Sequence, residues 1–489
     1  ALGVVVVAPP WNFPYAIPMG GIAAALVSGN SVIFKPAPES VLVAWELVNQ
    51  LWEAGVPKSV LHFLPSEDNE VGKYLITHKD VDAVVLTGSY ETALLFKKWK
   101  PTLRLLAETS GKNSIVVTAS ADIDTAVKDI IDSAFGHAGQ KCSAASLAIV
   151  EGSIYDNPAF FKQLKDAVES LKAGDPSDLS TSVGPLISPV NKNLSKVIEE
   201  LDQGEEWLVE PKQLESVYTW SPGVKINVRP GSWTHQNEWF GPVLGVMKAK
   251  DLKQAIDWQN SVEYGLTAGI QSLNEKECEY WIENVEAGNL YVNRTTTGAV
   301  VNRHPFGGWK KSSFGPTAKA GGDHYVSMFR KYKLVENLET LRYEFKRTWE
   351  EVGNKAIKLG DMKSERNFKR YIPYKNILVV TDDDFSKELT SLIFWIADLL
   401  KINIKIVSID ILLGEDSTLD ITTFEKIRWL STNKEIPTHI FNSGATVDER
   451  GMTQNGSQEL LCWVKEQSIS ITNHRYGNIG AGPQPFKEW

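Results

Sequence analysis

The chain has 489 residues, enough for two to four domains at roughly 150 residues each. Hydrophobic residues make up 43% and charged residues 23%, a balance that excludes a disordered or fibrous chain. The formal net charge of −9 excludes a basic field over the whole protein, so we expect no binding to nucleic acid.

Three widely spaced cysteines indicate a reducing compartment. Cys142, Cys278 and Cys462 form neither a C-x-x-C pair nor an even-numbered framework, so we expect a cytoplasmic protein with no metal site. The apolar run at residues 17–27 contains two glycines and is too short to span a bilayer, so no transmembrane segment is expected. The opening residues ALGVVVV predict a core strand instead of a signal peptide, so we expect the chain to begin partway into a longer protein.

The first third of the chain alternates strands with helices. Strands are predicted at residues 3–7, 31–34, 60–64, 83–86 and 103–106, and a helix at residues 41–52. This alternation predicts a parallel sheet, and continuous apolar runs such as VVVVA indicate strands that are buried on both faces. We therefore predict an open, doubly wound α/β sheet whose ligands bind at the carboxyl ends of the strands.

Two further α/β regions are predicted after the first. The second runs from residue 113 to about residue 305, with a strand at 114–117, a helix from 122 to about 135, and a cleft between it and the first region. Charge-rich residues 339–367 predict a connecting helix or linker. The third region has predicted strands at 377–380, 404–407 and 439–441 and predicted helices at 385–400 and 422–430.

Cys142 is the candidate nucleophile, because small residues surround it and Lys141 is adjacent in GHAGQKCSAAS. Small neighbours let a ligand approach, and a nearby cation lowers the pKa of a thiol toward the reactive thiolate. A free cysteine is also common as a small buried hydrophobe, so the residue alone does not decide the matter. His137, in a predicted helix, keeps a cysteine/histidine hydrolase open as an alternative.

Two polar residues follow predicted strands of the first sheet. Glu108 ends LRLLAE and begins ETSGKN, at the carboxyl end of a strand, where ligand sites collect. Asn12 lies between prolines in PWNFP. Each has an ordinary alternative, an ion-pair or capping carboxylate for Glu108 and a turn residue for Asn12, so neither is specific by itself.

Taken in order, the motifs of the chain resemble the NAD(P)-dependent aldehyde dehydrogenase superfamily. The motifs are PWNFP, FKPAPES, LTGS, AETSGKN, GQKCSA, EWFGPV and PFGGWKKS. Because several independent motifs agree in register, the resemblance is specific, and it runs from residue 1 to about residue 335. It implies an aldehyde dehydrogenase-like α/β fold with a cofactor-binding sheet, a catalytic α/β domain and, here, an extra C-terminal Rossmann-like α/β domain.

The resemblance assigns three residues to the chemistry. Cys142 is the thiolate that adds to the aldehyde carbonyl, which creates a tetrahedral carbon able to expel hydride. The side-chain amide of Asn12 and the backbone N–H of Cys142 are the donors to the oxyanion, a type of contact worth roughly 3 kcal/mol. Glu108 is the general base that activates water to hydrolyse the thioester, so a free acid is the expected product.

The resemblance also implies NAD as the cofactor. The residues implied to contact it are Lys35 at the adenosine ribose, Gly88 and Ser89 at the pyrophosphate, Pro10 and Trp11 along its path, and Glu238 with Phe240 at the nicotinamide ribose. Pro38 replaces a Glu that many NAD-preferring members have, and Leu86 replaces the usual Phe of FTGS. NADP therefore stays open.

The stretch GNLYVNRTTTGAVVNRHPFGGWKKS is similar to the L-glutamate γ-semialdehyde (Δ1-pyrroline-5-carboxylate) dehydrogenase subfamily. A substrate carboxylate needs backbone donors in a Gly-rich loop and a hydroxyl, which the resemblance assigns to Gly298, Ala299 and Ser143. Phe306 is implied to pack on the aliphatic chain. His304 departs from the Gln usual in the subfamily.

The tail ELLCWVKEQSISITNHRYGNIG and the segment RYEFKRTWEEVG resemble bifunctional proline utilisation A proteins. This resemblance implies an upstream, FAD-dependent proline dehydrogenase domain, a homo-oligomer and a noncatalytic C-terminal domain. The predicted boundaries are 1–111 for the NAD-binding domain, 112–305 for the catalytic domain, 306–340 for its return segment, 341–370 for the linker and 371–489 for the C-terminal domain. Other aldehyde dehydrogenases and an inactive scaffold fragment stay open as alternatives.

Overall fold

The computed structural model describes residues 1–353, 355–360, 362–414 and 417–474. Over these residues the chain divides into two units. Unit 1 comprises Ala1–Thr109, Pro305–Ile357 and Lys369–Gln467, and unit 2 comprises Ser110–His304, Lys358–Phe368 and the described residues from Ser468 onward. The last letters of the tail motif, residues 475–480, lie outside the described residues.

The helices fall mainly between strands. In chain order they are α1 Ala16–Val27, α2 Val41–Glu53, α3 Glu70–Thr77, α4 Tyr90–Trp99, α5 Ile123–Phe135, α6 Gly152–Tyr155, α7 Pro158–Glu169, α8 Lys192–Glu199, α9 Trp233–Gln236, α10 Leu252–Asn260, α11 Glu275–Asn284, α12 Leu338–Val352, α13 Lys387–Leu400, α14 Ile409–Leu413, α15 Thr438–Phe441 and α16 Gly456–Leu460. Short 3-10 segments lie at Pro38–Ser40, Gly136–Gly139, Val326–Phe329 and Ile421–Thr423. None of the helices in the described part of the chain is long and apolar enough to cross a membrane.

The strands are short, as is usual for α/β proteins. They are β1 Val4–Ala8, β2 Ser31–Phe34, β3 Leu61–Phe63, β4 Ala83–Thr87, β5 Leu105–Glu108, β6 Asn113–Val117, β7 Ala145–Glu151, β8 Glu206–Val209, β9 Gly223–Ile226, β10 Val243–Ala249, β11 Tyr264–Gly265, β12 Thr267–Gln271, β13 Asn289–Val292, β14 Trp309–Lys310, β15 Ser313–Phe314, β16 Ile357–Lys358, β17 Glu365–Pro373, β18 Asn376–Thr381, β19 Asn403–Ser408, β20 Lys426–Trp429, β21 Thr446–Asp448 and β22 Val464–Thr472.

The first sheet of unit 1 is the doubly wound sheet that the sequence predicts. Its six strands run in the order β15-β5-β4-β1-β2-β3, and all pairs are parallel except β15 with β5. In β1, Val5 and Val7 enter one apolar core with α1 and α2, whereas Val6 and Ala8 enter another with α3 and α4. Both faces are therefore covered, which explains the continuous apolar run.

A second sheet of unit 1 forms the C-terminal α/β region, residues 376–448. Its four strands run in the order β19-β18-β20-β21, and every pair is parallel. Two of the predicted elements in this region are wrong. The predicted helix at 422–430 contains strand β20, and the predicted strand at 439–441 lies in helix α15. The charged residues of β20 led to the first error, because they resemble a solvated helix face although they are buried.

Unit 2 is built on a larger, mainly parallel sheet. In the described residues its strands run in the order β22-β13-β12-β6-β7-β10-β9-β8, with β17 and β16 continuing beyond β22. The pairing of β13 with β22 joins Asn289 to Ser468 and Val292 to Ile471. Helix α5 begins after Asp122, whose side chain accepts a hydrogen bond from the Thr125 N–H as an N-cap. The predicted strand begins one residue after the start of β6, and the predicted helix begins one residue before the start of α5.

Candidate functional site

In unit 1, the carboxyl edge of the six-stranded sheet carries the first candidate residues. The turn that follows β1 contains Pro10, Trp11 and Asn12 and leads into α1. Asn12 is 5% exposed, so its side-chain amide is buried instead of being solvated. Pro10 and Trp11 are half-buried. An amide held in this way is preorganised as a hydrogen-bond donor.

Lys35 directly follows β2 on the same edge. Its side chain is largely buried, and its Nζ lies 2.6 Å from Oδ1 of Asp68, a carboxylate that is 77% exposed. Pro38, which stands where many NAD-preferring members have a Glu, begins the 3-10 segment Pro38–Ser40. The ammonium is therefore held at the sheet edge by a partner that solvent or a ligand can also reach.

Gly88 and Ser89 lie between β4 and the start of α4. The Ser89 side chain caps the helix by accepting a hydrogen bond from the Thr92 N–H at 3.1 Å. The Gly88 N–H donates to the Glu108 carbonyl oxygen at 3.1 Å, so this turn is bonded to the end of β5. The N-terminus of a ten-residue helix at the carboxyl edge of a parallel sheet is suited to an anion.

Glu108 is the last residue of β5, between two strands. Thr87 pairs with it from β4 in parallel, and Ser313 pairs with it from β15 in antiparallel register. Burial raises the pKa of the Glu108 carboxyl to about 8, and the ammonium of Lys319 opposes that rise. A carboxyl with a pKa close to neutrality is suited to proton transfer.

Lys319 lies in the Gly-rich stretch KAGG, which was not singled out from the sequence. It is 5% exposed, and its Nζ donates to the carbonyl oxygen of Gly307 at 2.7 Å. Its backbone N–H donates to Oε2 of Glu466 at 3.4 Å. Burial lowers the pKa of Lys319 to about 7, against the opposing effect of Glu466 and Glu108. Unit 1 therefore holds a buried carboxyl, Glu108, and a buried amine, Lys319, and desolvation disfavours the charged form of each.

In unit 2, hydrogen bonds from a side chain to the backbone hold the loop that carries Cys142, called the thiol loop below. Nδ2 of Asn113 donates to the carbonyl oxygens of Cys142 at 2.7 Å and Ala144 at 2.9 Å. Two glycines allow this packing. A Cβ at Gly111 would lie 2.9 Å from the Cys142 oxygen, and a Cβ at Gly139, where φ is +69°, would lie 2.3 Å from the Gly241 oxygen. Cys142 itself is partly exposed.

The regular helix predicted around His137 is wrong, because the short 3-10 segment Gly136–Gly139 contains two residues with non-helical backbone angles. The φ angles of His137 and Ala138 are 62° and 54°, which belong to the left-handed region. The chain therefore turns sharply between α5 and the thiol loop, and the carbonyl oxygen of His137 accepts the N–H of Gln140 at 3.0 Å. The His137 residue is exposed.

A second loop of unit 2 is bonded to the thiol loop. Oγ1 of Thr296 donates to the Ser143 carbonyl oxygen at 2.9 Å, and the Thr296 N–H donates to Oγ of Ser133. The same loop continues to Gly298, where φ is +85°, and Ala299, both of which are exposed. Of the residues predicted to hold the substrate carboxylate, the structure therefore brings Ser143 and the Gly298 loop together.

His304 closes this second loop. Its Nδ1 accepts the Val300 N–H at 3.0 Å, and its Nε2 lies 3.3 Å from Nη1 of Arg294 and 3.5 Å from Oε1 of Glu365. Arg294 also binds Glu365, at 2.6 Å. Burial is the main cause that lowers the pKa of His304 to about 4, and the positive charge of Arg294 is the second. The ring is therefore neutral at neutral pH. The imidazole thus replaces the amide of the usual Gln as a neutral hydrogen-bonding group.

Glu238 and Phe240 flank a buried tryptophan in unit 2. Oε1 of Glu238 accepts the Gly111 N–H at 3.0 Å. Phe240 has a φ of 56°, which is a strained conformation for an aromatic residue. Between them, the Trp239 ring lies 3.4 Å from Nζ of Lys112, whose pKa is held well below its ordinary value mainly by burial. Gly111 and Lys112 of the motif SGKN therefore contact Glu238 and Trp239 of the motif EWF. The sequence did not indicate this role.

The candidate residues are divided between the two units. Unit 1 carries Pro10, Trp11, Asn12, Lys35, Gly88, Ser89, Glu108 and Phe306, and unit 2 carries Cys142, Ser143, Glu238, Phe240, Gly298 and Ala299. Phe306 is half-buried and forms an isolated bridge with Ala320, next to Lys319. Each unit thus has its own preorganised set of side chains.

Comparison with known proteins identifies the family of the chain. The sequence profile of the aldehyde dehydrogenase family matches residues 1–335. A 1-pyrroline-5-carboxylate dehydrogenase of Geobacillus sp. strain WCH70 is 39% identical over 347 residues, covering 69% of this chain and 67% of that protein. The protein of the same name from Staphylococcus aureus strain JH1 is 38% identical over 357 residues, with the same coverage.

Solved structures extend the similarity to the C-terminal region. Proline utilization A from Corynebacterium freiburgense matches with a TM-score of 0.88 and 41% identity, covering 97% of this chain. The chain spans half the length of that protein. The Thermus 1-pyrroline-5-carboxylate dehydrogenase with bound NAD matches with a TM-score of 0.62 and 36% identity, over 67% of this chain and 64% of that one. The chain is a member of the aldehyde dehydrogenase family.

Proposed function

We propose that the chain oxidises L-glutamate γ-semialdehyde to L-glutamate with NAD, as a proline-catabolic dehydrogenase. The observation that carries this proposal is the hydrogen bond from Thr296 to the Ser143 carbonyl oxygen, at 2.9 Å. It ties the loop of Gly298 and Ala299 to the loop of Cys142, as a substrate with an aldehyde at one end and a carboxylate at the other requires. Two curated relatives of the chain carry the name 1-pyrroline-5-carboxylate dehydrogenase.

Cys142 is the nucleophile in this proposal. Its thiolate sulfur adds to the carbonyl carbon, and the carbonyl oxygen becomes an oxyanion that accepts hydrogen bonds from the Asn12 amide and the Cys142 N–H. Loss of a hydride from the resulting carbon leaves a thioester on Cys142. The hydrogen bonds of Asn113 to the loop backbone support the nucleophile, since they fix the backbone from which both the sulfur and the N–H project.

Glu108 is the general base for the second half of the reaction. It takes a proton from water as the water oxygen attacks the thioester carbon, and the Cys142 thiolate leaves as the acid is released. A pKa of about 8 supports this role, because the carboxylate is basic enough to accept the proton and yet is partly ionised near neutral pH. Lys319 stabilises the ionised form.

The residues of the six-stranded sheet fit a dinucleotide. The capped N-terminus of α4 suits a pyrophosphate, and the buried Lys35 ammonium suits a ribose hydroxyl. In unit 2, the fixed Glu238 carboxylate suits a second ribose. NAD, when bound, supplies the hydride acceptor. We assign NAD over NADP because the family relative from Thermus contains bound NAD.

The loop from Thr296 to His304 is the proposed anchor for the substrate carboxylate. Gly298 and Ala299 supply exposed backbone, and Ser143 adds a hydroxyl from the thiol loop. The hydrogen bond between Val300 and the neutral His304 ring fixes the far end of the loop. Phe306 is assigned to the aliphatic part of the substrate.

We also propose an upstream proline dehydrogenase domain with FAD. The support is the similarity to proline utilization A, which covers 97% of this chain but only 50% of that protein. In such a protein the semialdehyde is the product of proline oxidation after ring opening. A homo-oligomer is part of the same proposal, and multi-angle light scattering on the chain tests it.

The test of the proposed function is NADH formation from three aldehydes. We expect kcat/KM for glutamate γ-semialdehyde to exceed that for succinate semialdehyde and propanal, because only the first has both α-amino acid groups for the anchor loop. NAD and NADP are compared with the best substrate. Cys142→Ala is expected to abolish NADH formation while leaving NADH binding intact.

Other outcomes favour the alternatives. Equal turnover of propanal and glutamate γ-semialdehyde would contradict the substrate assignment and favour a general aldehyde dehydrogenase. Thermal stabilisation by NAD without NADH formation would favour an inactive scaffold. Ester cleavage lost in His137→Ala would favour the hydrolase, whereas cleavage unaffected by that change would remove it.

A further inference from the structure

The C-terminal α/β region contacts the first turn of helix α4. Tyr90 is the first residue of that helix and follows Ser89 directly. It is 6% exposed, and its hydroxyl donates to the carbonyl oxygen of Phe441 at 2.7 Å. Phe441 ends helix α15, which lies between β20 and β21. The residue next to the helix cap is therefore bonded to the backbone of the C-terminal region.

An aromatic cluster continues this contact. The ring of Phe441 stacks on Phe314, with centroids 5.0 Å apart and planes at 19°. Phe314 also contacts Tyr90, with centroids 5.5 Å apart. Since Phe314 follows Ser313, the partner of Glu108 in β15, the same cluster supports the strand beside the candidate base. Aromatic pairs of this kind contribute beyond their buried area.

The other end of α4 is held by an ion pair. Lys97 has a 3% exposed side chain, and its Nζ lies 3.0 Å from Oε2 of Glu449 and 2.9 Å from the Leu103 carbonyl oxygen. The same ammonium lies 5.1 Å from the Phe441 ring centroid. Tyr90 at the start of α4 thus contacts the C-terminal α/β region, and Lys97 near its end contacts Glu449, the residue that directly follows this region.

One apolar core connects these elements. It includes Val84 of β4, Ala93 of α4, Leu378 of β18 and Ile440 of α15, all of which are fully buried. The face of α4 that is turned away from solvent is therefore packed against both sheets of unit 1. Burial on this scale fixes the axis of the helix, because a protein core is packed at crystal density.

We propose that the C-terminal α/β region sets the affinity for the dinucleotide by holding α4, with Tyr90 and Phe441 as positioning residues. This inference rests on the proposed function, in which Ser89 and the start of α4 meet the pyrophosphate. Helix N–H groups bind an anion only when they point at it, so affinity depends on how firmly the first turn is held. A region without candidate catalytic residues thereby acts on the cofactor step.

The test removes the Tyr90 hydroxyl from the full chain. We expect Tyr90→Phe to raise the Kd for NADH, measured by calorimetry, and the KM for NAD by about three- to tenfold, the typical effect of one buried hydrogen bond. The KM for the aldehyde and kcat should change by less than about twofold. Tyr155→Phe is the matched control, since it removes another buried tyrosine hydroxyl, which bonds Asn227 at 2.8 Å in unit 2. It should leave NADH affinity unchanged.

A second variant covers the case in which Tyr90→Phe does not fold. Glu449→Gln removes the charge that pairs with Lys97, and a smaller rise in the NADH Kd, about two- to fivefold, is expected. An NADH Kd that moves equally in Tyr90→Phe and Tyr155→Phe, or in neither Tyr90→Phe nor Glu449→Gln, overturns the inference. Absence of semialdehyde turnover by the wild-type chain would instead overturn the proposed function, because NADH binding is measured without the aldehyde.

Discussion

The two parallel sheets of unit 1 use buried charge in opposite ways. At the carboxyl end of the C-terminal sheet, Asp448 is fully buried and lies 2.7 Å from Arg450, 3.3 Å from Arg428 and 3.4 Å from Lys426. These cations hold its pKa well below the ordinary range despite burial. At the same end of the six-stranded sheet, burial outweighs Lys319 and raises the pKa of Glu108 to about 8.

The difference separates a structural carboxylate, Asp448, from the carboxyl that we propose to be reactive, Glu108. A carboxylate surrounded by cations stays ionised and cannot exchange protons near neutrality. A carboxyl that is desolvated and only partly compensated can exchange them, at the cost of stability when it ionises. The two sheets therefore differ in the ionisation of a carboxyl at a strand end, and we propose that this difference separates their functions. Three predictions test this contrast, beginning with the largest effect.

Glu108→Gln should lower steady-state NADH formation by about 10²- to 10⁴-fold, the usual contribution of a general base. The first turnover should persist, because hydride loss precedes the step that needs the base. Stopped-flow absorbance at the NADH band therefore should show a burst followed by a stall. The exposed Glu53→Gln in α2 is the control and should leave both phases unchanged.

Equal loss of burst and steady state in Glu108→Gln would show that the carboxyl is not the base. Stability gives an independent check. The folded pKa of Glu108 lies above its ordinary value, so its contribution to stability is full at acid pH and is lost as pH rises toward about 8. The Gln variant should lack this loss and be no less stable than wild type at pH 8 by urea denaturation.

Asp448→Asn should have the opposite profile, with a loss of about 3–5 kcal/mol in the unfolding free energy, because it leaves buried cations without their partner. The folded pKa of Asp448 is depressed, so its stabilising effect is present at neutral pH and disappears as pH falls through the folded value. Urea denaturation at pH 7 measures the loss in Asp448→Asn, and a series from pH 4 down to pH 2 follows the acid limb, because the stabilisation is lost only below the ordinary Asp pKa of 3.8. The kcat of the folded fraction should stay within about twofold of wild type, since no proton passes through this residue.

Asp398→Asn in α13 is the control for that variant. Its side chain is 87% exposed and its ion pair with Lys401 is a surface pair, which typically contributes about 0–1 kcal/mol. If Asp448→Asn is no more destabilising than Asp398→Asn, the buried charges of the C-terminal sheet do not stabilise it, and the contrast between the two sheets fails.

Lys319→Met is expected to have the smallest effect, a shift in pH dependence. Removing the ammonium removes the one cation that favours the Glu108 carboxylate among the causes of its pKa shift. Because the pKa of Lys319 is itself lowered to about 7, its amine is only partly charged where Glu108 titrates, so the rising limb of kcat against pH should move upward by less than about one pH unit. Lys319→Arg, which carries a positive charge throughout this range, should not move the limb upward. A limb that is unmoved in Lys319→Met would contradict the coupling between the two groups.

Sequence reasoning located most of the fold where local patterns were clear. The predicted strand at residues 31–34 has the bounds of β2, and helix α2 ends one residue after its predicted end. It was less accurate where residues far apart decide the structure. In β20, whose sequence is KIRW, Arg428 is buried because Asp448 and Glu459 bind it. The local sequence pattern does not indicate these partners.

Sequence reasoning also identified the candidate site residues but not their partners. Glu108 and Cys142 follow from motif order, and their roles stay predictions. Lys319, Thr296, Lys112 and Tyr90 required the structure, because each is an ordinary residue whose importance comes from what lies beside it. A lysine in a Gly-rich loop, for example, becomes informative only when it is found buried near a carboxyl.

By itself, then, the sequence determined the family, the alternation of strands and helices in the first region and the residue types available for thiol chemistry. These depend on short motifs and on the burial of local apolar runs, which the chain encodes directly. Tertiary structure alone decided which charges are compensated, which loops are bonded together and which helix the C-terminal region supports. Those properties depend on desolvation and on contacts between distant segments, and both arise only when the chain has folded.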